Sequence, residues 1–169
     1  MASLTQLLDI QARNVILIIG HPGSGKSTYC HQTVLNALAI NRPVIFVVTE
    51  QGPADVTQYL RDQGLGKLLA GSLTFVDAFH ETLGLPHTGR PDTVDAHFSD
   101  LTSLEVAISK LQNKFQQKNI LLVFDSLTSP YLLTGSVIIK FMRFSLMKFA
   151  AANCEWEFIY KSCWNKIHN

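Results

Sequence analysis

Cysteine is scarce in this 169-residue chain: Cys30, Cys154 and Cys163 are an odd number with no C-x-x-C spacing. That pattern excludes a small fold stapled by disulfides, and no signal-peptide pattern opens the chain, so reduced thiols in a cytoplasmic protein are expected. Charge is thin as well. Charged residues make up 16% and the formal net charge is +1, which gives no general field to gather nucleic acid, so a nucleic-acid partner has no support from charge. No apolar run approaches the roughly 20 residues needed to cross a bilayer, so no membrane partner is expected. The six histidines lack metal-ligand spacing apart from Asp95-x-His97, which reads as part of a polar loop. What the chain has in quantity is apolar surface, 47% of residues, enough for one domain with a true core and an excess that an interface with another chain could absorb.

The most specific signal is Gly20 to Ser27, GHPGSGKS, which fits G-x-x-x-x-G-K-[ST] at every fixed position. It follows the apolar run Val15–Ile19 and precedes a helix-like stretch, the context that turns this pattern into a phosphate site. Glycines let the backbone turn tightly and aim successive N–H groups inward, and the helix starting near Lys26 adds its positive end. Gly20, His21, Pro22, Gly23, Ser24, Gly25, Lys26, Ser27 and Thr28 are therefore the expected nucleotide-binding residues. Lys26 reaches the outer phosphates as a compact charge, and the Ser27 hydroxyl is placed to ligate Mg²⁺. The alternative is a glycine-rich turn that binds nothing.

Along the rest of the chain, apolar runs alternate with helical patterns. Lys26 to about Ile40 reads as a helix ending before Asn41-Arg42-Pro43, and Val44–Thr49 as a second buried strand. Pro53 opens a helix running to Gln63 and closed by Gly64. Leu73–Val76 makes a third strand leading into Asp77, and Gly84–Ser99 reads as loop. Thr102-Ser103-Leu104-Glu105 resembles a capping box for a helix ending near Lys118, with Val106, Ile108, Leu111 and Phe115 as its apolar face. Ile120–Phe124 is a fourth strand ending on Asp125. A helix from about Gly135 to Ala152 carries Lys140, Arg143 and Lys148 on a solvated face. Such alternation predicts an α/β fold of three layers, with a mostly parallel sheet between helices and right-handed crossovers.

Two acids leave strand ends at the edge where the loop lies, and ligands of open parallel sheets bind beyond that edge. Asp125 is the candidate to support a metal bound to the phosphates. Glu50, followed by Gln51-Gly52-Pro53, is the candidate to position and deprotonate water in line with the last phosphate, with Asp77 as its rival.

With the phosphate loop, VVTEQ after the second strand and FDS after the fourth, the chain resembles the RecA-like P-loop ATPases, and in VIFVVTEQ through LTFVDAF their KaiC-like branch. The resemblance covers about Val15 to Ala152 and implies a single P-loop NTPase domain over residues 1–169. It implies triphosphate and Mg²⁺ held by Lys26 and Ser27, water activated by Glu50, the metal supported by Asp125, ATP and Mg²⁺ as cofactors, and a homo-oligomeric ring. It also implies a strand between the phosphate-loop strand and the one ending on Asp125, arriving after the following helix. The only candidate is residues 153–169, an atypical tail in which Trp156, Phe158 and Tyr160 alternate with Glu155, Glu157 and Lys161. That is the pattern of a half-exposed strand, whereas a central strand is apolar on both sides. Either this segment slots in as an imperfect substitute or the sheet is incomplete at its C-terminal strands.

Function therefore reads first as an ATP-binding, Mg²⁺-dependent ATPase. Two other classes stay open: a module that binds nucleotide without turnover, and a small-molecule kinase. The kinase is disfavoured because Arg13, Arg42, Arg61, Arg90 and Arg143 are dispersed rather than grouped in a lid.

Overall fold

In the computed structural model, residues 14–63, 71–86, 88–116, 119–151 and 156–163 are described. The elements in chain order are β1 (Asn14–Gly20), α1 (Lys26–Ala39), β2 (Val44–Val48), α2 (Pro53–Asp62), β3 (Leu73–Asp77), α3 (Phe79–Thr82), β4 (Thr93–Asp95), α4 (Leu101–Lys114), β5 (Ile120–Asp125), α5 (Thr128–Thr134), α6 (Val137–Ala151) and β6 (Trp156–Cys163). The strands form one sheet in the order β1-β6-β5-β2-β3-β4, and every neighbouring pair is parallel.

The period of two along a strand sorts the core into two layers. Val44, Phe46 and Val48 of β2 and Leu121 and Val123 of β5 pack under Val34 and Leu38 of α1 and Val56 and Leu60 of α2. Ile45, Val47, Ile120, Leu122 and Phe124 face the other way, against Leu104, Ile108 and Leu111 of α4 and Ile138 and Phe141 of α6. Residues of both alternations are buried because helices cover both faces, which is why these strands read as unbroken apolar runs. At the β1 edge the same alternation separates Ile16 and Ile18, packed beneath α1, from Val15, Leu17 and Ile19, which are 51%, 54% and 56% exposed.

Of the two outcomes for the tail, the structure takes the first. β6 lies between β1 and β5, with Ile16 opposite Ile159 and Val123 opposite the same residue on the other side. Cys154 and Glu155, and the side chains of β6, lie outside the described residues.

Other expectations need correction. α4 begins at Leu101 rather than at a Thr102 cap, because the Asp100 carboxylate accepts the Thr102 N–H at 3.0 Å. Its buried stripe is accordingly Leu104, Ala107, Ile108 and Leu111, and Val106 is 61% exposed. The stretch read as loop after Gly84 contains β4, whose approach is fixed when Asp92 O accepts the Phe75 N–H (2.8 Å). Arg90 anchors this segment, donating to both carboxylate oxygens of Asp92 (2.9 and 2.7 Å) and to Thr57 Oγ1 (3.2 Å) while lying over the Phe75 ring. Partial burial pushes the Asp92 carboxyl upward, but the Arg90 hydrogen bonds and charge outweigh it and hold Asp92 below the ordinary carboxylate value. The helix expected from Gly135 is preceded by α5, while Lys140 and Arg143 are exposed as expected. Gly64, Lys118 and Ala152, expected at helix ends, lie outside the described residues. Among the described residues no helix is long and apolar enough to cross a membrane.

Candidate functional site at the carboxyl edge of the sheet

Because every strand is parallel, all carboxyl ends meet one edge, and the glycine-rich loop from β1 to α1 lies there. Gly23 and Gly25 have φ of +77° and +81°, values that side-chain-bearing residues adopt at a cost. Gly25 is the N-cap of α1, so the helix starts without a capping side chain and without an acid in its first turn. Its leading N–H groups and the positive end of its dipole face the loop with no anionic side chain from that turn set against them. Ser24 N–H closes back on His21 O at 3.2 Å, and Tyr29 N–H on Gly25 O at 2.9 Å.

Lys26, on the first turn of α1, is only 6% exposed. Its ammonium donates to Gly20 O (2.9 Å), His21 O (2.5 Å) and Ser24 Oγ (3.3 Å), so it sits inside the loop rather than in solvent. His21, Pro22, Gly23, Ser24, Gly25 and Thr28 are exposed, with Gly20 and Ser27 half-buried, so the loop presents an open mouth over a buried cation.

The two acids stand on adjacent strands. Val48 of β2 pairs with Asp125 of β5, so Thr49 and Glu50 emerge beside Ser126. Thr49 Oγ1 donates to Ser126 O (2.9 Å) and accepts the Ser126 N–H (2.7 Å), and Thr49 N–H donates to Asp125 O (3.2 Å). The peptide between Asp125 and Ser126 is cis. Ser126 Oγ accepts the Thr128 N–H (3.2 Å) and donates to Glu50 Oε1 (2.5 Å), and Ser129 Oγ lies 3.5 Å from the same oxygen. Asp125 is 1% exposed whereas Glu50 is exposed, so one carboxylate is sunk in the edge and the other is held over it.

The structure thus brings Glu50 and Asp125 to one place and sets them on the loop's edge of the sheet, one strand (β6) separating β5 from β1. α1 reaches across that gap, since Cys30 and Val34 share a core with Leu121 and Val123 of β5. Asp77, the rival to Glu50, is fully buried and engaged: Oδ1 accepts the Phe79 and His80 N–H groups (both 3.1 Å) and Oδ2 meets His80 Nδ1 at 2.7 Å. It caps α3 instead of facing the edge freely.

Thr49, Ser126 and Ser129 are the parts of this edge that sequence reasoning did not single out. The available signal was a hydroxyl immediately following each of the two strands, but its meaning depends on the β2–β5 register. Among the described residues no group of three or more His, Cys, Asp or Glu side chains forms a cage for a metal ion.

Comparisons with known proteins bear on the family and the fold. Residues 6–154 match the family model described as "ATPase: KaiC". A UPF0273 protein of Pyrococcus furiosus is 31% identical over 142 residues, covering 79% of this chain and 56% of that protein. A UPF0273 protein of Thermotoga maritima is 28% identical over 141 residues, with 79% and 57% covered. The chain therefore spans little more than half the length of these relatives. Among solved structures, a KaiC-like protein from Pyrococcus horikoshii superposes with a TM-score of 0.67 at 20% identity, covering 90% of this chain and 64% of that one. That likeness is one of fold, a three-layer α/β arrangement of the RecA-like kind.

Proposed function

This chain belongs to the KaiC family of ATPases, a RecA-like branch of the P-loop NTPases, and from that premise we propose that it binds ATP with Mg²⁺ and hydrolyses the terminal phosphate. The observation that carries the reading is the buried Lys26 ammonium inside the loop, on the same sheet edge as Glu50 and Asp125.

A triphosphate entering the loop mouth meets the amides at the start of α1. The Lys26 ammonium then exchanges its bonds to loop oxygens for phosphate oxygens, trading neutral acceptors for charged ones that bind about twice as strongly. The donor set suits a hard divalent ion: the Ser27 hydroxyl and the Asp125 carboxylate are both oxygen donors, and Mg²⁺ characteristically takes one or two protein ligands together with phosphates and waters. When bound there, Mg²⁺ neutralises charge on the phosphate oxygens. Glu50, over the edge and hydrogen-bonded through Ser126, is the group to orient water and take its proton. Ser126 and Ser129 orient the Glu50 carboxylate and so fix which lone pairs face the cleft. A homo-oligomeric assembly and a cytoplasmic setting belong to the same proposal.

The test pairs an ATP titration with a phosphate-release assay on the full chain, its mass fixed by light scattering. Lys26→Ala is expected to abolish Mg-ATP binding. Glu50→Gln is expected to keep the affinity while release falls about 100-fold or more, the range for losing a general base. Unchanged affinity in the first variant contradicts the site, and unchanged turnover in the second moves the base elsewhere. Wild-type binding without release would reduce the protein to a nucleotide-binding module.

A further inference from the structure

The segment that carries Glu50 turns from β2 into α2 at Gly52-Pro53, and one side chain from a different strand ending lies against that turn. A Cβ built on Gly52 would stand 2.9 Å from His80 Cε1, 3.7 Å from His80 Nε2 and 3.4 Å from Asp55 Oδ2. The imidazole edge therefore fills the space a side chain would need on a buried glycine two residues after Glu50, so that no other residue type fits there without displacement. Gly52 has φ −77°, so the glycine is needed for this close approach and not for its backbone angle.

The ring is held from behind. A carboxylate only accepts, so His80 Nδ1 carries the proton donated to Asp77 Oδ2, which fixes the ring's orientation and leaves the Cε1–Nε2 edge toward Gly52. Asp77 is itself immobilised by the Phe79 and His80 amides and by complete burial at the end of β3. β3 is hydrogen-bonded to β2 in register, with Val48 opposite Asp77, and Ala78 N–H donates to Val48 O at 3.1 Å. On the far side, the Gly52 N–H donates to Asp55 Oδ2 at 3.2 Å, closing the start of α2. Glu50 is thus suspended between two supports: Ser126 grips its carboxylate, and the Asp77–His80 pair limits its main chain.

We infer that Asp77 and His80 form a positioning pair, which walls off the side of Gly52 to set the path of the Glu50 turn and hence the place of the Glu50 carboxylate over the cleft. This rests on Glu50 acting on water as proposed above. It gives two residues outside the phosphate loop and the two strand-end acids a role in turnover, though neither touches substrate.

The experiment uses the full chain with wild type, His80→Ala, His80→Asn and Gly52→Ala. Its two readouts are amide hydrogen exchange of the segment 49–55 without nucleotide, and ATP affinity and kcat with Mg-ATP. His80→Ala is expected to speed exchange across 50–53 about tenfold, leave β2 and β5 protected, and lower kcat about tenfold with affinity within about twofold, as for a misplaced group. His80→Asn keeps a donor toward Asp77 and is expected to recover most of both losses. Gly52→Ala drives a methyl toward the ring while keeping both Asp77 and His80, and is expected to reproduce the kcat loss even where His80→Ala folds poorly. The inference is overturned if segment 50–53 exchanges as in wild type, if affinity and kcat fall together, or if asparagine serves no better than alanine. A wild type that releases no phosphate counts against the proposed hydrolysis instead, and the exchange arm then decides the pair's structural role alone.

Discussion

At the scale of single residues, the most informative is Thr49, whose hydroxyl closes a ring with both backbone groups of Ser126. Both partners are buried, so replacing the hydroxyl by a methyl of the same shape leaves an N–H and a C=O without that partner in a place water does not reach. Thr49→Val is expected to cost about 1–3 kcal/mol of stability in urea unfolding. Because Ser126 in turn bonds Glu50, it is also expected to reduce phosphate release more than nucleotide affinity; equal loss of both, or of neither, would separate Thr49 from the Glu50 arrangement. Lys26 and Ser27 were readable from the chain because their pattern is contiguous. Glu50 and Asp125 were readable as polar residues ending apolar runs. The Thr49–Ser126 clamp and the His80–Gly52 contact were not, because each joins residues from different strands, and only the register of a folded sheet says which strand ends are neighbours.

At the scale of elements, α4 illustrates how a small error in phase changes which side chains matter. The helix starts two residues earlier than the Thr102 cap implied, with Asp100 as its cap, and its core stripe runs through Leu104, Ile108 and Leu111. Ile108→Ala is expected to cost about 2–5 kcal/mol, since it empties space against β2 and β5 on a fully packed face. Val106→Ala is expected to stay within about 0.5 kcal/mol. Chemical denaturation of both variants checks this, and comparable losses would reverse the assignment of faces. The main strands and long helices were legible because burial on both sheet faces writes itself as unbroken apolar runs, and helical faces as a period near four. The short elements α3, β4 and α5 were not. α3 exists because Asp77 caps it, and β4 because Asp92 and Ala96 bond to β3, so their cause lies in tertiary hydrogen bonds that no local pattern records.

At the scale of the whole molecule, the sheet depends on its last described strand. β6 pairs with β1 on one side and β5 on the other, so it is what joins the loop-bearing strand to the strand carrying Asp125. The tail was legible as a strand from its alternation, and its place only as one of two outcomes implied by the resemblance, since an alternating polar pattern points to an exposed face and β6 runs through the interior order of the sheet. Ending the chain at Asn153 is expected to abolish protection of the β1 amides from exchange while β2 and β3 keep theirs; retained protection of β1 would mean another segment can take the place of β6. The same order governs manufacture in the cell. The phosphate loop leaves the ribosome well ahead of β6, yet the strand that carries it has no described lateral neighbour until residues near 160 have cleared the exit tunnel. Until that pairing forms, Val15, Leu17 and Ile19 line a strand with no described partner beside it, and the loop gains its fixed seat only when β6 docks.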